Sequence, residues 1–129
     1  MLFRSFAVLV CHGVYTRHPN LKTASIEAGS DWVPTLVKKL KKAYAQNPWA
    51  FATDPVQQLR DHLWVAPFYE DDIRVLADTI GVDRVLFGSD YPHAEGLADP
   101  LAFVNDLPGF SESEVRSIMS DNALALLNG

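Results

Sequence analysis

The stretch VLFGSDYPH, Val85 to His93, decides the fold. Its first half, Val85-Leu86-Phe87-Gly88, is apolar without alternation, the pattern of a strand covered on both faces. Its second half gathers Ser89, Asp90, Tyr91, Pro92 and His93. A buried strand that stops in a knot of polar groups fits a parallel α/β sheet, in which ligands bind beyond the carboxyl ends of the strands.

The neighbouring segments supply the rest of such a sheet. Upstream, Glu70-Asp71-Asp72 suits the positive end of a helix dipole, Ile73, Leu76, Ala77 and Ile80 form one apolar stripe, and Gly81 is a natural stop. Before that lies an apolar run from His62 to Phe68, a second strand. Gln46 to Pro55 is irregular, with Thr53-Asp54 opening a short helix over Val56 to Arg60. Trp32 to Tyr44 has helical spacing, with Pro34 in the first turn and Ser30 or Asp31 as N-cap. Thr23 to Ile26 reads as a short strand, and Leu2 to Thr16 as a helix ended near His18-Pro19. Downstream, helices are expected over Pro100 to Asp106, Ser111 to Ser120 and Asn122 to Leu127. Ser111 and Glu114 have the form of a capping box. Helices and strands therefore alternate, which implies parallel strands joined by right-handed crossovers. Residues 1–129 read as a single domain without internal boundary.

Composition excludes several functions. The net charge is −5 over 129 residues, against a nucleic-acid partner, which asks for a basic surface. The one basic run, Lys38-Lys39 with Lys41-Lys42, reads as a solvated helix face. The apolar N-terminal run is well short of the roughly 20 residues of a membrane span, and no small-residue cleavage site follows it. A single cysteine, Cys11, has no partner for an internal disulfide. It reads as a small buried hydrophobe in a reducing, cytoplasmic compartment.

The strand ends carry the candidate chemistry. Asp90 offers free lone pairs at a fixed position, suited to a divalent metal or to accepting a proton, and equally to capping a turn. His93 offers a hydrogen-bond donor or a metal ligand, or is a loop-packing histidine. Glu27, after the first strand, is a second acid facing the same mouth or a cap for the next helix. His12, His18 and His62 fall away from this mouth. The sequence holds no HxH pair, HExxH, paired cysteines, GxGxxG, P-loop or GxSxG.

VLFGSDYPHAEGLADP (Val85 to Pro100) resembles the last-strand motif of the amidohydrolase-related (amidohydrolase 2) family. The branch is that of the aminocarboxymuconate-semialdehyde decarboxylase-like enzymes. GVYTRHPNLK (Gly13 to Lys22), IEAGSDWVP (Ile26 to Pro34) and the closing DNALALLNG (Asp121 to Gly129) are similar to the family in the same order. The resemblance implies the C-terminal part, about strands six to eight with their helices, of a (β/α)8 TIM barrel. It implies a hydrolase, or a decarboxylase acting on a small carboxylated substrate, with one divalent metal, zinc being the expectation. Asp90 would be the strand-eight metal ligand and a base, with Glu27 and His93 lining the pocket. Many relatives place a histidine of a His-Gly-Gly pattern where Glu27 stands here, in Glu-Ala-Gly; other members carry Glu.

Three of eight strands leave sheet edges and the barrel-interior face uncovered. The expectation is a partial barrel that is inactive alone and that associates through its open edges. The alternative is a catalytically inactive barrel remnant serving as a dimerisation module. A third reading is a self-contained α/β binding domain with an acidic ligand at the helix start near Ser30.

Overall fold

The computed structural model describes residues 2–128; Gly129, the end of the closing motif, lies outside them. The order is α1 (Leu2–Cys11), α2 (Val14–Arg17), β1 (Thr23–Ser25), α3 (Trp32–Gln46), α4 (Pro55–His62), β2 (Leu63–Val65) and α5 (Ile73–Ile80). A 3-10 turn Pro48–Ala50 between α3 and α4, a 3-10 turn Val82–Arg84, a 3-10 segment Pro100–Asp106, α6 (Glu112–Arg116), a π turn Ser117–Asp121 and α7 (Asn122–Asn128) complete it. No helix is long and apolar enough to cross a membrane among the described residues.

β1 and β2 pair in parallel, with Thr23 opposite Leu63 and Ser25 opposite Val65. The third strand, which the sequence pattern places over Val82 to Gly88, is shorter than that. Val82 to Arg84 are wound into the 3-10 turn, and pairing is reduced to a parallel bridge between Val65 and Val85. Leu86 N donates to Val65 O at 2.8 Å, so the chain still runs beside β2 toward Asp90. The second strand also starts late, because His62 closes α4 instead.

Alternation along β2 separates two faces. Leu63 and Val65, both fully buried, enter the main core with Val33, Leu36 and Leu40 of α3, Leu59 of α4 and Leu76 and Ile80 of α5. Trp64 and Ala66 face the other way, where Leu86, Ala123 and Leu126 form a second cluster. That face is therefore not bare where Trp64 sits, contrary to expectation. α7 lies over it, and Lys22 Nζ donates to Ala125 O at 3.0 Å while standing 5.6 Å from the Trp64 ring. Arg84 also stands over the Trp64 ring, its guanidinium carbon 4.3 Å from the centroid. Asn122 ties the same helix to the third strand: its buried Nδ2 donates to Val82 O at 2.8 Å and Val85 O at 2.7 Å.

Local signals explain most boundaries. Asp54 caps α4 by accepting from Val56 N at 2.8 Å, with Pro55 in the first turn. Gly81, at φ 100°, ends α5, and the Ser111–Glu114 capping box is formed. The expected single helix over Leu2 to Thr16 is broken at Gly13, whose φ of 66° no right-handed helix contains. Cys11 stands at that break and is exposed, not buried, though partial burial pushes its thiol pKa up. The four lysines of α3 are exposed, as its pattern implied.

Candidate functional site

The carboxyl ends of the strands open on a cleft of 460 Å³ lined by Glu27, Phe68, Tyr69, Glu70, Gly88, Asp90, His93 and Glu95. Glu27 follows β1, Phe68 and Tyr69 follow β2, and Asp90 and His93 follow the third strand. The three residues singled out from the sequence meet here. Glu27, Asp90 and His93 each bring a ligand atom within 4.8 Å of the others. Their arrangement joins two carboxylates and an imidazole, a set able to exchange protons or to bind a divalent cation through oxygen and nitrogen.

The backbone is bent to achieve this. Glu27 and Asp90 both have φ of 54°, the left-handed region that costs a residue with a side chain about 1–2 kcal/mol. Conformations of this kind persist where the surroundings enforce them, and they cluster at functional sites. At Asp90 the enforcing element is a closed loop. Asp90 O accepts from His93 N at 2.9 Å, His93 O accepts from Gly96 N at 3.0 Å, and Ser89 O accepts from Leu97 N at 2.8 Å. Gly96 passes so near that a Cβ on it would collide with the Asp90 carbonyl. The Tyr91–Pro92 peptide within the loop is cis.

His93 Nδ1 lies 2.7 Å from Asp90 Oδ1. This hydrogen bond raises the His93 pKa and the charge of Asp90 adds to it; desolvation opposes them, and the charges of Glu27 and Glu95 add smaller increases. In chelator-treated protein His93 is expected to titrate above the ordinary histidine value, and Asp90→Asn to bring it down. The favourable contribution to stability is full below the ordinary value and disappears as pH rises through the raised one. Imidazole proton shifts followed by NMR check this; a His93 curve unchanged in Asp90→Asn would contradict the pairing.

Other sequence expectations resolve differently. Neither Ser30 nor Asp31 caps α3 through its side chain. The amide and hydroxyl of Ser30 are both engaged by Asp71, at 2.7 and 2.9 Å, so the helix start offers no free ligand site there. His62 is buried away from the cleft, stacked on Tyr15 with ring centroids 4.4 Å apart, its Nδ1 2.6 Å from Leu21 O. His12 and His18 are exposed and do not line the cleft. Phe68 and Tyr69, which the order of elements already puts past the carboxyl end of the second strand, form an aromatic wall of the cleft.

Against known proteins, the family model described as amidohydrolase matches residues 1–129. The chain belongs to the amidohydrolase family. A 2-amino-3-carboxymuconate-6-semialdehyde decarboxylase of Dictyostelium discoideum is 25% identical over 124 residues, which are 92% of this chain and 34% of that protein. The crystal structure of an amidohydrolase from Mycobacterium avium subsp. paratuberculosis K-10 matches with a TM-score of 0.93 and 57% identity, covering 97% of this chain and 33% of its own. The 5-carboxyvanillate decarboxylase of Sphingomonas paucimobilis matches with a TM-score of 0.75 over 93% of this chain and 37% of its own; at 17% identity it speaks for the fold alone. This amidohydrolase-family chain thus spans about a third of the length of the proteins it matches. The alternative of a non-catalytic remnant finds no support among them.

Proposed function

We propose that these residues form about strands six to eight of a (β/α)8 barrel and supply part of the active site of a metal-dependent amidohydrolase-related enzyme. Its reaction is hydrolysis or decarboxylation of a small carboxylated substrate. The observation that carries this reading is the meeting of Glu27, Asp90 and His93 beyond the ends of parallel strands, with two of the three held in left-handed backbone. Members of this family are typically metal-dependent, and the donor set here suits a divalent ion such as zinc.

Asp90 is the metal ligand in this reading. His93 engages one carboxylate oxygen of Asp90, the kind of orienting partner that tunes a ligand. A bound divalent ion would act as a Lewis acid, polarising the substrate or easing deprotonation of water. Glu27 faces Asp90 across the mouth, placed to accept or return a proton. Phe68 and Tyr69 give the substrate skeleton an apolar wall. Glu70 and Glu95 make the rim acidic, which concentrates cations at the mouth.

Titration with Zn²⁺, read by backbone and imidazole NMR shifts, tests the site. Perturbations are expected at Glu27, Asp90 and His93. Perturbations confined to the exposed groups around Cys11, His12 and His18 would overturn the assignment.

A further inference from the structure

Asp71 stands in an acidic run that precedes α5, yet it does not cap that helix. Asp72 does so, its Oδ1 accepting from Val75 N at 3.0 Å. A single oxygen of Asp71, Oδ2, instead accepts three hydrogen bonds: from Ser30 N at 2.7 Å, Ser30 Oγ at 2.9 Å and Phe68 N at 3.0 Å. Bonds to an ionised acceptor are about twice as strong as neutral ones. The donors come from two different loops. Ser30 is three residues past Glu27 in the loop after β1, and Phe68 belongs to the cleft wall after β2.

The two loops are in direct contact at this point. Gly29, at φ 61°, lies so close to Phe68 that a Cβ on it would be 3.1 Å from the ring and 3.4 Å from Asp71 Oδ2. On the other side of Gly29, its carbonyl accepts from Trp32 Nε1 at 3.1 Å. The backbone leaving Glu27 is therefore fixed within three residues. We propose that Asp71 is a positioning residue of the cleft: by fastening the loop after β1 to the loop after β2, it sets where Glu27 stands relative to Asp90 and His93. The inference rests on the reading above that Glu27 takes part in the site.

The test uses the whole chain with Co²⁺ as probe, in wild type, Asp71→Ala, Asp71→Asn, Glu27→Gln and the Glu27→Gln/Asp71→Ala double variant. In Asp71→Ala, the Ser30 and Phe68 amides are expected to exchange with solvent about tenfold faster or more. Co²⁺ affinity is expected to fall by about 10- to 100-fold, as for other groups that orient a ligand set. Asp71→Asn keeps an acceptor oxygen without the charge and should lose clearly less of both properties than Asp71→Ala. In the Glu27→Gln background, Asp71→Ala should cost nothing further, because the two act in series. Equal losses in both backgrounds would reduce Asp71 to a general staple and overturn the proposal, as would unchanged Ser30 exchange. Should Asp71→Ala fail to fold, Ser30→Ala, which removes one of the three donors, must show a smaller loss in the same direction; no loss overturns the proposal. Should wild type take up no Co²⁺, the metal reading fails. The positioning claim is then decided by crystal structures of wild type and variant: it stands if Glu27 leaves Asp90 and falls if Glu27 stays.

Discussion

Asp90→Asn is expected to remove about 100- to 10 000-fold of the turnover of a full-length barrel carrying these residues, while leaving the fold about as stable at a pH above the raised His93 value, where the charge pairing of His93 with Asp90 no longer contributes. The two halves of this expectation come from different features. Asparagine has the shape of aspartate but no charge, so it weakens ligation of a divalent ion and proton acceptance together. It also tolerates left-handed backbone better than most residues with a side chain, and Asp90 sits at φ 54°. The loop closure that holds this position runs through main-chain groups of Ser89, Asp90, His93, Gly96 and Leu97, none of which the substitution alters. Lost activity with retained stability is the mark of a residue kept in a strained place for its chemistry. Steady-state turnover and thermal melting of the same preparation check it. Activity within a few-fold of wild type would remove Asp90 from the mechanism, and a large drop in melting temperature would make its role structural.

Phe103→Ala is expected to cost about 3–5 kcal/mol, set against a typical domain stability of about 5–15 kcal/mol. Phe103 is fully buried on the 3-10 segment Pro100–Asp106. Its ring meets Phe87 edge-on, at 5.3 Å between centroids and 75° between planes. Phe87 lies three residues before Asp90, so the cavity would open beneath the strand that carries the acid. Urea denaturation measures the loss. Leu101, 70% exposed on the same segment, is the control, and Leu101→Ala should stay within about 0.5 kcal/mol. Equal costs for the two would mean that this segment does not hold the core.

The sequence revealed the alternation of helices and strands because apolar stripes and turn residues are local signals. Asp54-Pro55, Gly81 and Ser111 with Glu114 mark boundaries that the structure contains. The site residues were legible for a related reason: a parallel sheet sends every strand end to one rim, which made Glu27, Asp90 and His93 candidates for one mouth, though each could equally have been a cap or a packing residue. What stayed hidden depends on tertiary partners. Asp71 and Asp72 are alike as letters, and the approach of Ser30 and Phe68 makes one a clamp and the other a cap. Val82 to Arg84 adjoin the apolar run that begins at Val85, but the chain leaving α5 coils through Asp83 and Arg84 before it reaches Val85. Cys11 has the composition of a core residue, yet the break at Gly13 leaves it at the surface.

The ring of hydrogen bonds from Ser89 to Leu97 has a further consequence for how this site can diversify. Loops at barrel mouths ordinarily change by gaining and losing residues, and substrate range follows. A ring that closes on the carbonyl of Ser89, next to Asp90, has a fixed circumference, and its tightest point, where Gly96 meets the Asp90 carbonyl, admits only glycine. Length drift is open to a stretch such as the exposed one around Trp49 and closed to residues 90–97. Novelty in this corner of the cleft must come by exchange of exposed side chains on the ring, Tyr91 and Glu95 among them.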